Sequence, residues 1–203
     1  MSTNNPHRRS IRLKDYNYSS AGAYFVTVCT LERKCIFGEI MNGQNQLSSI
    51  GQISKSCWLE IPNHFQNSSL DEFVIMPNHI HGVVLLADVA IVGAGHVQPL
   101  NEQIHASKYK HLVSKSLSSI IGSFKSSVTR ICKQRQLGVL IWQRNYYEHI
   151  IRNERELNRV REYIINNPLH WKLDRENQFS DNFNLGHDKY FGNVYLKTSS
   201  FGE

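Results

Sequence analysis

The chain of 203 residues has four cysteines, Cys29, Cys35, Cys57 and Cys132, and none of them forms a CxxC pair. That scatter excludes a zinc ribbon and a dense disulfide framework, and the expected state is buried free thiol. No window approaches the roughly eighteen unbroken apolar residues of a membrane span. The opening MSTNNPHRRSIRLK also lacks the apolar core of a secretory signal. The expectation is a cytoplasmic protein with no membrane partner. Homopolymeric runs are missing too, and with 40% hydrophobic and 20% charged residues the chain reads as globular rather than disordered.

Acids are missing from two stretches. The first fourteen residues hold Arg8, Arg9, Arg12 and Lys14 without an Asp or Glu, and Gln103 to Tyr147 holds eight Lys or Arg, again without an acid. Together with a formal net charge of +6, this distribution favours a polyanionic partner, and two such segments in one small domain point to nucleic acid.

The hydrophobic pattern supplies the elements. Ala23 to Leu31 alternates aromatic and β-branched residues, a half-buried strand. Ser48 to Leu59 carries Ile50, Ile53, Cys57 and Trp58 at helical spacing until Pro62 stops the run. Phe73 to Met76 and His79 to Leu86 are apolar strands joined by Pro77-Asn78, a hairpin. Residues 87–114 lose periodicity and are expected to form a mobile loop. From Ser116 to Lys133, Leu117, Ile120, Ile121, Phe124, Val128 and Ile131 make one stripe of a helix whose other face is basic. Val139 to Ile151 reads as a strand region. Asn153 with Glu156 gives a capping box for a last helix ending near Pro168. This order fits an α+β, ferredoxin-like fold: a four-stranded antiparallel sheet with helices on one face. The expected division is a basic arm (1–22), a catalytic domain (23–169) and a C-terminal extension (170–203).

Chemistry is suggested where strand and helix periodicities converge. In the second hairpin strand, alternation sends His79 and His81 to one face and Ile80 to the other, so both imidazoles can reach one divalent ion. In the last helix, Tyr163 and Asn167 lie four residues apart on the edge of the Leu157, Val160 and Ile164 stripe. A tyrosine hydroxyl, with a pKa near ~10, is a poor nucleophile unless a cation stabilises the developing charge. Two histidines and an amide oxygen leave positions open for phosphate oxygens, which suits Mg2+ or Mn2+ better than a closed zinc site. Phosphoryl transfer to Tyr163 therefore gives the combination a purpose.

These blocks resemble a known family. MPNHIHGVVLL, then YYEHIIRNE, then YIINNP, preceded by RRSIRLKDYNYSSAGAYFVTVCT, are similar to the REP-associated tyrosine transposases, relatives of the single-tyrosine HUH transposases of insertion sequences. The resemblance covers about residues 8 to 170 and implies cleavage of single-stranded DNA through a 5′-phosphotyrosine at hairpins of palindromic repeats. It places the metal on His79 and His81, the nucleophile on Tyr163 and an amide ligand on Asn167, where relatives outside this branch commonly carry glutamine. Tyr146 and Tyr147 are rival nucleophiles, and His96, His105 and His111 are spectators in the loop. For DNA contact the expected residues are Arg8, Arg9 and Arg12 on the arm, Lys125 and Arg130 on the basic helix, and Arg144. The partner is hairpin-containing single-stranded DNA, the enzyme a monomer or homodimer. The alternative is a hairpin-binding protein without catalysis.

Overall fold

The computed structural model describes residues 20–87, 116–138 and 140–180. The arm with Arg8, Arg9 and Arg12, the loop histidines and most of the 170–203 extension lie outside the described residues.

The central strand, β1 (Gly22–Cys29), is two residues shorter at its C-terminal end than its alternation predicts. Thr30 then makes a lone bridge to Trp142, and a turn of 3-10 helix follows at Leu31–Arg33. A small hairpin of β2 (Gly38–Met41) and β3 (Gln44–Leu47) comes next and was not expected. Its turn is Asn42-Gly43, both with positive φ, the chemistry of a tight two-residue hairpin loop. Helix α1 (Ser49–Leu59) starts where Ser48 Oγ accepts from the Gly51 amide at 3.1 Å, and a short α2 (Ile61–His64) carries Pro62 in its first turn. The expected hairpin is present as β4 (Ser68–Ile75) and β5 (His79–Leu86), turning at Pro77-Asn78. Helix α3 (Leu117–Gln134) is capped by Ser116, strand β6 covers Tyr147–Ile151, and α4 spans Glu154–Asn166 before a 3-10 segment at Asn167–Leu173.

The four long strands pair antiparallel in the order β4-β5-β1-β6. The α+β class and the four-stranded antiparallel sheet agree with the expectation. The helices, however, are not confined to one face. Tyr24, Val26, Val28, Ile80 and Val84 point toward α1 and α3, whereas Phe25 and Val83 point the other way, where Leu157, Val160 and Ile164 of α4 cover them. Period-2 alternation builds both faces from the same strands. On the first face Trp58 lies over the sheet so closely that a Cβ at Gly82 would stand 2.5 Å from its ring. Cys29, Cys57 and Cys132 are buried thiols as expected, but Cys35 is exposed.

Two further differences have local causes. Of the strand region expected over 139–151, the ladder covers only Tyr147–Ile151; before it the Gln143 amide donates to the Cys29 carbonyl at 2.9 Å beside the Trp142 bridge, and the Gln143 and Asn145 carbonyls accept from Lys125 Nζ at 2.8 and 3.1 Å instead of from a strand. At the start of α4, Asn153 Oδ1 accepts from the Glu156 amide at 2.9 Å as the capping box requires. The Glu156 carboxylate, however, accepts from the Arg152 amide at 2.8 Å and sits 2.7 Å from His149 Nε2. Among the described residues no helix is long and apolar enough to cross a membrane.

Candidate metal and nucleophile site

The second face of the sheet carries the polar residues. His79 and His81 follow the Pro77-Asn78 turn on β5, both essentially inaccessible, with ring centroids 4.3 Å apart. Their nitrogens are assigned by their neighbours. Asn78 Nδ2 donates to the carbonyls of Arg33 at 3.1 Å and Glu176 at 2.8 Å, which turns Asn78 Oδ1 toward His79 Nδ1 at 2.8 Å. The proton of His79 therefore sits on Nδ1. Its Nε2 is left with a lone pair, buried and without a hydrogen-bond partner among the described residues. Thr27 Oγ1, cross-strand from His81, lies 3.0 Å from His81 Nδ1 and orients that ring.

Helix α4 brings Tyr163 over the pair, with its hydroxyl 3.0 Å from His81 Nε2 and its ring edge-on to Phe25 at 6.1 Å. Just past the helix, Asn167 is buried. Its Nδ2 donates to Asp174 Oδ2 at 3.0 Å, and its Oδ1 is buried without a partner. The acid grouped with the histidines is Asp174: one donor atom from each of His79, His81 and Asp174 lies within 4.8 Å of the others. Sequence reading passed over this residue. It stands in an aperiodic stretch whose only local signal, the run Asp174-Arg175-Glu176-Asn177, becomes informative once all four are seen to be buried.

The electrostatics match a cation site. Burial, helped by the neighbouring ring of His81, pushes the pKa of His79 well below the ordinary imidazole value, and burial lowers His81 as well against the pull of Asp174. Both rings are therefore neutral, the form that ligates metal. Burial works against the Asp174 anion. The neighbouring imidazoles, which carry charge only when protonated, and the Asn167 amide that donates to it at 3.0 Å outweigh burial, holding that carboxyl below the usual range. Two imidazoles and one carboxylate, with the His79 lone pair unmatched, fit a divalent ion.

The other expected residues lie elsewhere. Tyr146 packs on the α3 side, 3.3 Å from Ser118 Oγ. Tyr147 is on the site's face, cross-strand from Thr27, but the tyrosine bonded to His81 is Tyr163. Lys125 and Arg130 belong to α3, across the sheet from the histidines. The Lys125 ammonium is engaged with carbonyls and its pKa is pushed down to about 8 by burial, while exposed Arg130 lines a groove against α1 with Cys57 and Glu60. Arg144 is exposed in the turn before β6. Two arginines near the site were not anticipated: Arg33 and Arg175, both paired with Glu176.

No family model matches the chain. It is 44% identical over 170 residues to an uncharacterized protein of Haemophilus influenzae, covering 83% of this chain and 92% of that one. Its structure is similar to that of a REP-associated tyrosine transposase bound to a REP hairpin, with a TM-score of 0.53, 18% identity, and coverage of 79% of this chain and 74% of that one. The chain therefore belongs to one family with the Haemophilus influenzae protein, on the fold of a REP-associated tyrosine transposase.

Proposed function

We propose that the protein is a metal-dependent transesterase of the HUH class that nicks and rejoins single-stranded DNA at hairpins of palindromic repeats. The observation that carries this reading is the Tyr163 hydroxyl, 3.0 Å from His81 Nε2 at the edge of the His79, His81 and Asp174 group. The REP hairpin held by the structural neighbour supports the choice of substrate.

In the proposed reaction Tyr163 Oη attacks the scissile phosphorus, a new O–P bond forms, and the P–O3′ bond breaks. The 5′ phosphate stays on the tyrosine, and the departing 3′ oxygen takes a proton from water. The chemistry a divalent cation would supply there is polarisation of the phosphate and offset of charge on the attacking oxygen. His79 and His81 would hold the ion through their ring nitrogens, with the His79 tautomer set by Asn78 and the His81 ring oriented by Thr27, and Asp174 would supply the oxygen donor. His81 Nε2 at 3.0 Å and Asp174 Oδ2 at 3.5 Å are the acceptors within reach of the phenolic proton. Asn167 holds that carboxylate in place and offers Oδ1 as a further oxygen. This donor set suits Mn2+ better than Mg2+, since imidazole favours the softer ion. All these groups come from one chain, so a monomer can complete the site.

The test is a labelled hairpin strand incubated with Mn2+ or Mg2+. A denaturation-resistant protein–DNA adduct should form through the 5′ phosphate and map to Tyr163, faster with Mn2+, and Tyr163→Phe should bind the strand without forming it. An adduct at Tyr147, or one that Tyr163→Phe still makes, overturns the assignment. Tight hairpin binding with no adduct under any metal would instead make the protein a binding module.

A further inference from the structure

Residues 174 to 177 are four consecutive polar side chains, all buried, and the reaction above uses only the first. Arg175 follows the Asp174 donor directly, and its side chain is 10% exposed. Its Nε is in ion-pair range of Glu176 Oε1 at 2.9 Å, and both Nε and Nη1 are buried with no hydrogen-bond partner among the described residues. Glu176 is shared: its other oxygen pairs with Arg33 Nη1, and Cys29 Sγ approaches that oxygen at 3.5 Å. One carboxylate thus serves two guanidinium groups, and the donor at Arg175 Nη1 is left over.

A buried guanidinium with an idle donor is costly unless an anion completes it. The cluster is also wired into the site. The Glu176 amide donates to Asp174 Oδ1 at 2.6 Å, the Glu176 carbonyl accepts from the Asn78 amide that sets the His79 tautomer, and Arg175 is near enough to Tyr163 and Asp174 for their charges to interact. A phosphodiester brought to Tyr163 carries an anionic non-bridging oxygen able to accept from the idle Arg175 donor, and the planar fork of arginine matches phosphate oxygens.

We propose that Arg175, held in place by Glu176 and Arg33, is the residue that binds a non-bridging oxygen of the scissile phosphodiester beside Tyr163. The assignment rests on Tyr163 as the nucleophile. Arg175 forms and breaks no bond itself; it meets charge that stays on the phosphate oxygens throughout the transfer.

The experiment compares two hairpin strands that differ only at the scissile linkage, one a phosphodiester and one an uncharged methylphosphonate, with full-length wild type, Arg175→Gln and Arg175→Lys in Mn2+. On the phosphodiester, Arg175→Gln should slow adduct formation by roughly 100-fold, the scale of losing one preorganised donor at a transferring phosphoryl group. On the methylphosphonate the gap between wild type and variant should close. Equal losses on both linkages, or no loss on either, overturn the proposal. Should Arg175→Gln melt early, Arg175→Lys carries the same comparison, with a smaller loss confined to the charged linkage. Affinity for both strands is also measured in a Tyr163→Phe background, where no adduct can form. A linkage-dependent loss of affinity on adding Arg175→Gln upholds the assignment even if wild type never cleaves, whereas robust cleavage without linkage dependence defeats this inference and leaves the proposed function standing.

Discussion

The two faces of one sheet are built by different rules. Toward α1 and α3, β1 and β5 present Tyr24, Val26, Val28, Ile80 and Val84, sealed by Trp58 and by Phe124, whose ring meets Trp58 edge-on at 5.2 Å. Toward α4, the alternate residues of the same strands include Thr27, His79 and His81, buried as deeply as the aliphatic residues behind them. The first face contributes stability, with each large side chain removed from water worth about 1.5–3 kcal/mol. The second gives some of it back, since an unpartnered buried polar atom costs about 1–3 kcal/mol, and His79 Nε2 and Asn167 Oδ1 are two such atoms. On the first face the unpartnered buried atom among the described residues is a donor, the indole Nε1 of Trp58; on the second the unpartnered atoms are acceptors beside the Asp174 carboxylate, and that is where a cation has to be sought.

The contrast is broken most sharply on the polar face. His79→Ala and His81→Ala should each abolish measurable Mn2+ binding in calorimetric titration while the metal-free melting temperature stays close to that of wild type; a collapse of the fold would mean that the pair is structural. The apolar face should behave in the opposite way. Trp58→Ala should cost about 3–5 kcal/mol in denaturant unfolding, yet the folded fraction should bind Mn2+ with unchanged affinity, and weakened binding would show that the two faces are coupled. The smallest effect is in pH. Because burial lowers the pKa of His79 and His81 in the folded chain, the unfolded chain takes up protons first as pH falls through the ordinary imidazole range. Stability should therefore decline across that range, and the lowered carboxyl of Asp174 adds a further loss in more acidic solution. Unfolding midpoints measured against pH should flatten in the imidazole range for His79→Gln with His81→Gln, and an unchanged slope would contradict the assignment of neutral rings.

What was legible in the sequence follows from the same physics. Elements with a buried stripe announced themselves: β1, α1, β4 with β5, α3 and α4 all appear within a few residues of where periodicity puts them. So did the convergence of Tyr163 on the histidines. The β2–β3 hairpin escaped because Gln44-Asn45-Gln46 gives no apolar alternation, although Asn42-Gly43 marked the turn. Which face each helix covers depends on how connections cross the sheet, and no local pattern records that. Asp174, Arg175 and Glu176 look like ordinary surface residues in the chain. Only their approach to Asn78, Arg33 and Asn167, all distant in sequence or beyond a helix end, makes them part of the site.

Helix α4 is fastened at both edges of the sheet. Near its start Glu156 meets His149 of β6, and two residues before Tyr163 both Arg161 nitrogens, Nε and Nη2, grip Asp71 of β4 at 2.8 and 2.6 Å. Since β6 and β4 are the outermost strands, the helix is a crossbar rather than a swinging arm, and Tyr163 can be redirected by little more than its own side-chain torsions. A strand attached to it would be moored at a stationary post between cutting and joining. The travelling partner in any exchange would then be the nucleic acid, whose free 3′ end must come to the protein.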